Sequence, residues 1–247
     1  MELYSYSIKL FDPLFFAREG ISGAFTPFYL HATALNHALA WAMGKCRDDQ
    51  PYFMTEENGG KNIPRYETSW IDKDFYVTPA RLKGPTSYYT EIVKGDGDKN
   101  IQVGYGAARI NGVQVGKNEV LKAYRIYSIA PESVFEGYLY SNLPADNSPT
   151  LIRLGSFRGL ALFEIDKSYK VIGNERKKYC DHPVDPLVSK VLQGAPVPML
   201  PYPIVDQAMV EDVWEIRKFR QRVFVAALPG QRKSKIEPVR QSASLII

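Results

Sequence analysis

The pattern of this chain predicts an α+β protein, an antiparallel sheet covered by helices. Three observations carry the prediction. A strand-like opening run, Leu3 to Leu10, leads into one long amphipathic helical pattern; aromatic and β-branched runs separated by turn residues follow; and a short helical pattern, Pro186 to Leu192, comes late. The simplest arrangement with that order is ferredoxin-like, β-α-β-β-α-β, which leaves one face of the sheet free.

Each element has a local cause. The opening strand breaks at Asp12-Pro13. Thr26 is the expected cap of the main helix, Pro27 suits its first position, and Phe28, Ala32, Leu35, Leu39 and Met43 recur at helical spacing until Gly44 closes the run. Strands are then expected over Phe75 to Leu82, Tyr88 to Val93, Val120 to Ile129, Phe135 to Tyr140 and Leu160 to Ile165. Lys83 to Asn118 reads as a long hairpin excursion, turned by Lys94-Gly95-Asp96-Gly97-Asp98. The prolines of Ala195 to Pro203 keep that run extended, a last strand covers Arg222 to Leu228, and the basic stretch 229–247 is expected to be a flexible tail behind a single domain, 1–228.

At 247 residues with a net charge of +4, the chain has the balance of an ordinary globular protein, which permits a nucleic-acid partner without demanding one. Charge is uneven, however: between Arg217 and Arg240 stand eight basic residues against one acid, Glu237. No apolar run reaches the roughly 18 to 20 residues that cross a bilayer, and the first residues lack the layout of a signal peptide, so a cytoplasmic location is expected. Cys46 and Cys180 have no Cys or His companions at ligand spacing, and neither zinc nor any other cofactor is expected.

The most informative motif is Arg153-Leu154-Gly155-Ser156-Phe157-Arg158-Gly159, directly before a strand. Two glycines bracket a hydroxyl, a ring and a guanidinium. Such a loop can bring backbone N–H groups and the forks of Arg153 and Arg158 against phosphate, with Phe157 lying on a base or packing inward; the same pattern also serves as a plain turn between strands. The excursion carries Tyr88, Tyr89, Tyr105 and Arg109, which either stack on bases and clamp phosphates or pack on a sheet. In RNA-recognition modules a free sheet face, or loops at its edge, meets single-stranded RNA.

Catalytic candidates are few. His31, near the expected helix start, is the best placed of the three histidines to act as base in a metal-independent ribonuclease, while His37 points away from it around the helix. Ser156 does not complete a nucleophile elbow, which needs one residue between each glycine and the serine. No phosphate-binding Gly-Lys-Ser/Thr loop or dinucleotide fingerprint occurs, and the acidic pairs Asp48-Asp49 and Glu56-Glu57 read as solvated loop before they read as a cation site.

The opening strand, Phe15-Phe16-Ala17-Arg18-Glu19, Tyr29-Leu30-His31 at the head of an Ala/Leu-rich helix, and the Arg153 to Gly159 loop together resemble the type I-D CRISPR-associated Cas-five family, the Csc-one group of the RAMP superfamily. The resemblance spans most of residues 1 to about 228. It implies a ferredoxin-like (RRM-like) RAMP domain with a glycine-rich loop, Gly155 to Gly159, and a hairpin thumb, for which Lys83 to Asn118 is the candidate and Glu56 to Glu67 a competitor. It further implies a non-catalytic subunit that holds the 5′ handle of the crRNA, contacts a Cas-seven-type backbone subunit and helps seat a Cas-ten-type large subunit. Whether target DNA near the protospacer-adjacent motif is also touched stays open. On this reading Arg18, Arg153 and Arg158 neutralise handle phosphates, and Tyr88, Tyr89 or Phe157 stack bases.

Overall fold

Strict alternation along the opening strand sets the layers of the protein: Tyr4, Tyr6, Ile8 and Leu10 turn into one core, while Ser5, Ser7 and Lys9 face the other way. The computed structural model describes residues 2–16, 24–44, 55–58, 61–64, 74–94, 109–110, 113–114, 123–142 and 151–228. In chain order the elements are β1 (Glu2–Leu10), β2 (Ala24–Phe25), β3 (Tyr29–Leu30), α1 (Ala32–Ala42), β4 (Thr55–Asn58), β5 (Lys61–Pro64), β6 (Phe75–Val77), β7 (Ala80–Lys83), β8 (Tyr88–Lys94), β9 (Arg109–Ile110) and β10 (Val113–Gln114). They continue with β11 (Ala123–Ile129), β12 (Val134–Ser141), β13 (Leu151–Leu154), β14 (Gly159–Tyr169), β15 (Gly173–Tyr179), β16 (Val191–Val197), β17 (Ile204–Lys218) and β18 (Gln221–Ala226).

The main sheet runs β13-β14-β1-β12-β7-β3, with β6 also on β12, and every pairing in it is antiparallel. One face packs on α1, where Leu35, Leu39 and Ala40 meet Tyr6, Ile8, Phe135 and Phe163. On the other face Leu3, Tyr76, Tyr138 and Tyr140 lie against Ile216 and Val225 of a second sheet, β15-β17-β16 with β18 also on β17. That second sheet covers only part of the face. Beyond it lie Ser7, bonded to Asp166 at 2.9 Å, Lys9 paired with Glu132 at 2.5 Å, and Lys83 paired with Glu136.

The helix differs from its expected start. Phe28 is exposed outside the helix, Tyr29 and Leu30 pair with Arg81 and Ala80, and His31 is the cap, its Nδ1 accepting from the Thr33 amide at 3.0 Å. Strand pairing outside the helix thus outweighs the local Thr-Pro signal, and Thr26 instead accepts from the Phe16 amide at 3.4 Å. Gly44, at φ +67°, closes the helix as expected.

The helix expected over Pro186 to Leu192 is a single turn, in which the Asp185 carbonyl accepts from Val188 at 3.1 Å and Ser189 at 3.0 Å; pairing with β17 then claims the chain from Val191. Strands β15 and β17 are additional to the expected pattern. In β17 the buried positions run 204, 206, 208, 210 and then 213 and 216, so the period of two slips midway and hides a 15-residue strand. Of the excursion, β8 and the small hairpin β9–β10 are described; β8 pairs from Tyr88↔Ile129 to Lys94↔Ala123 with β11, which lies beyond the expected end at Asn118, and β4 and β5 form another hairpin in the competing segment. The tail lies outside the described residues. Among the described residues no helix is long and apolar enough to cross a membrane, and no cluster of His, Cys, Asp and Glu is placed to hold a metal ion.

Candidate nucleic-acid interface

The glycine-rich loop is the turn between β13 and β14, and it is clamped to the chain that leaves β1. Gly155 has φ +77°, and a Cβ there would stand 2.6 Å from the Phe15 carbonyl oxygen, so glycine is required twice over. That carbonyl accepts from the Ser156 amide at 2.7 Å, the Arg158 amide donates to Gly155 O at 3.1 Å, and the Leu160 amide donates to Asp12 Oδ2 at 2.7 Å. These amides serve the protein itself. The loop therefore offers an anion its exposed guanidinium groups, with the Ser156, Arg158 and Leu160 amides already taken.

Arg153 reaches across the loop to Arg158 O at 3.1 Å, and both guanidinium residues are exposed. Among the described residues neither has a carboxylate within ion-pair distance. Phe157 stacks on Phe15 with centroids 5.5 Å apart yet stays 60% exposed, leaving much of its ring open. A ring with much of its surface open, in a loop that carries two exposed cations, is a fitting surface for a base and its flanking phosphates.

The same clamp joins the loop to the excursion. Leu14, next to Phe15, bridges Ile129, and Ile129 pairs with Tyr88. Tyr88 itself is half-buried: its hydroxyl donates to Thr26 O at 3.0 Å, and its ring meets Phe25, Phe28 and Tyr127. Burial pushes its phenol pKa up. Tyr88 is thus spent on packing, while Tyr89, one residue on and facing the other way, is exposed. Phe25 and Phe28, also exposed, are aromatic candidates that the sequence reading missed; Pro27, which disfavours helix at Thr26, is the signal that could have found them. Arg109 lies in β9, where only backbone is described, and Arg18 and Tyr105 fall outside the described residues.

Residues 1–233 match the family model for the type I-D CRISPR-associated protein Cas5/Csc1. The chain belongs to that family. A comparison with curated proteins returned no match. Within this Cas5/Csc1-family chain the match spans the loop, the excursion and the second sheet alike.

The histidines of this Cas5/Csc1-family chain lie elsewhere. His31 is buried, with Nδ1 held by the Thr33 amide and Nε2 3.1 Å from Tyr202 O, so the neutral ring donates through Nε2. His37 and His182 are also buried, with Nδ1 2.7 Å from Thr33 O and Pro183 O respectively. Burial lowers all three to about 4. A base at that value is a weak proton acceptor, and His31 has both ring nitrogens engaged.

Proposed function

We propose that this chain is a non-catalytic subunit of a type I-D CRISPR interference complex (Cascade), gripping the 5′ handle of the crRNA and capping one end of the backbone in antiviral defence. The observation that carries the reading is the pair Arg153 and Arg158, exposed and without a carboxylate partner among the described residues, in the same loop as the open ring of Phe157. A loop clamped to its own protein core holds these groups in place before RNA arrives, which limits the entropy lost on binding.

The reading includes a ferredoxin-like, RAMP-type domain. It is supported by the order of the four main strands, β14-β1-β12-β6/β7, in which the fourth, first, third and second lie side by side, all antiparallel, with α1 between the first and second. On this reading β8 and β11 are the limbs of the thumb, Tyr89 is its aromatic contact, and Cas-seven-type and Cas-ten-type subunits are the neighbours. The closed-off histidines support binding without cleavage.

Handle-RNA titrations at several salt concentrations test the proposal. Arg158→Ala is expected to weaken binding severalfold and to flatten the salt slope by about one. Unchanged affinity and slope would remove the loop from the interface. Incubation with repeat RNA in EDTA tests the rest: site-specific cleavage that His31→Ala abolishes overturns the non-catalytic reading.

A further inference from the structure

The hairpin of β17 and β18 ends in a tip built against local preference. Lys218 pairs with Gln221 across a two-residue turn, Phe219 and Arg220, and both turn residues have positive φ, +50° and +68°. Turns of that kind favour Asn and Gly, because a Cβ at positive φ crowds its own backbone. One step back, Arg217 stands directly opposite Arg222, a like-charge pair that a ladder tolerates poorly. Arg222 is compensated by Glu215, at 2.5 and 2.7 Å. Arg217 and Arg220 have no carboxylate within ion-pair distance among the described residues, and Phe219 is 89% exposed.

We propose that this tip is a second nucleic-acid contact, in which Phe219 stacks on an unpaired base and Arg217 and Arg220 hold the phosphates beside it. The residues flanking Phe219 in the hairpin are Arg217, Lys218, Arg220 and Gln221, all charged or polar, so the turn itself carries one isolated ring rather than an apolar run for a protein or a bilayer to cover. Base stacking needs only one ring, and the cations supply what a phosphate backbone requires. Residues held at positive φ gather at ligand sites, where binding gains outweigh local strain.

The site is separate from the glycine-rich loop. Strand β14 starts at that loop and ends at Tyr169, whose ring meets Tyr138 at 6.4 Å; the Lys218 ammonium lies 5.8 Å from the Tyr138 ring centroid. Tyr138 stands level with Ser5 and Lys167, eight residues along β14 from Gly159, so roughly 25 Å of strand separates the loop from the ring on which the Lys218 ammonium rests. A single nucleotide does not bridge them.

The test uses Phe219→Asn, since Asn tolerates the turn and lacks the ring, with Phe219→Trp as the aromatic rescue. Fluorescein-labelled oligouridylate and oligodeoxythymidylate of about 20 nucleotides, neither carrying a handle, are titrated against the full chain. The expected result is about tenfold weaker binding for Phe219→Asn, near-normal binding for Phe219→Trp, and a thermal midpoint for Phe219→Asn raised by about 2–4 °C. A larger loss on oligouridylate identifies RNA as the strand contacted, and a larger loss on the deoxy probe identifies DNA. The same titration in an Arg158→Ala background keeps the two sites distinct: a Phe219 effect that vanishes there overturns the second contact, whereas a failure of Arg158→Ala alone touches only the loop. Unchanged affinity for both probes overturns the proposal. So does loss of binding to phosphatidylcholine/phosphatidylserine vesicles with both oligonucleotide affinities intact.

Discussion

Arg158 on the loop and Arg81 at the junction of the two sheets carry the same charge into opposite situations. Arg81 donates to Asp206 at 2.5 Å, and Asp206 also accepts from the Tyr29 hydroxyl at 2.8 Å; burial pushes that carboxyl up, but the Tyr29, Gln207 and Arg81 contacts outweigh it and hold it below the usual range. Nearby, Tyr202 donates to Asp185 at 2.9 Å and accepts from His31 through its carbonyl. The junction supplies its own counter-charges. At the loop edge, Arg153 and Arg158 stay in water and keep their donors available. The Arg81 side chain is 42% exposed and that of Arg222, bonded to Glu215, 62%, so what sorts structural from ligand-facing arginines is whether the fold sets a carboxylate within reach, rather than residue type or burial.

The largest break between the two regions comes with acid. His31, His37 and His182 have pKa values near 4 in the fold against 6.5 when unfolded, so the unfolded chain binds more protons between those values. Their contribution is complete above pH 6.5 and is lost as pH falls toward 4. Asp185 works in the opposite sense: burial raises it to about 6, so its contribution is present at low pH and fades as pH rises through 6. Three losses against one gain leave a net fall on the order of 5 kcal/mol between pH 7 and pH 4. Urea unfolding at pH 7, 5.5 and 4.5 measures it, and a flat profile would sink the assignment of buried neutral imidazoles.

A smaller contrast separates two glycines in the same left-handed region. Gly155→Ala places a methyl 2.6 Å from Phe15 O, while Gly84→Ala, at φ +73°, meets nothing within 4 Å. Both bear about 1 kcal/mol for the backbone, and only Gly155→Ala adds roughly 1–3 kcal/mol for the collision. Handle affinity is expected to fall with Gly155→Ala alone, because the clamp on Phe15 is what aims Phe157. Equal losses of stability for the two variants would mean that the contact with Phe15 gives way freely.

Legibility in the sequence follows the same division. β1 was readable from its alternation and β12 from its aromatic run, as were the glycine turn at 155 and the stop at Gly44. Long-range pairing was not: it moved the helix start to His31, because Leu30 finds Ala80 across the sheet, and it turned Val191 from helix to strand. The loop was visible as a motif, but its amides were not, since the carbonyl that takes the Ser156 amide lies 141 residues earlier in the chain at Phe15. Tyr88 and Tyr89 read alike as neighbours in a strand; which of them faces Phe28 depends on where Phe28 lies.

The finest test exploits the backbone of Arg158, which sits at φ +53° although its residue type has no preference for that region. Asn adopts left-handed conformations more readily and carries no charge, so Arg158→Asn relieves the turn and removes the cation together. Stability is expected to rise by about 0.5 kcal/mol while handle affinity falls and its salt slope flattens. Arg222→Ala supplies the opposite pattern: it removes a cation already bonded to Glu215, lowering stability slightly and leaving handle affinity as it was. If both variants shifted affinity equally, handle binding would respond to overall charge, and the contrast between compensated and uncompensated arginines would lose its functional meaning.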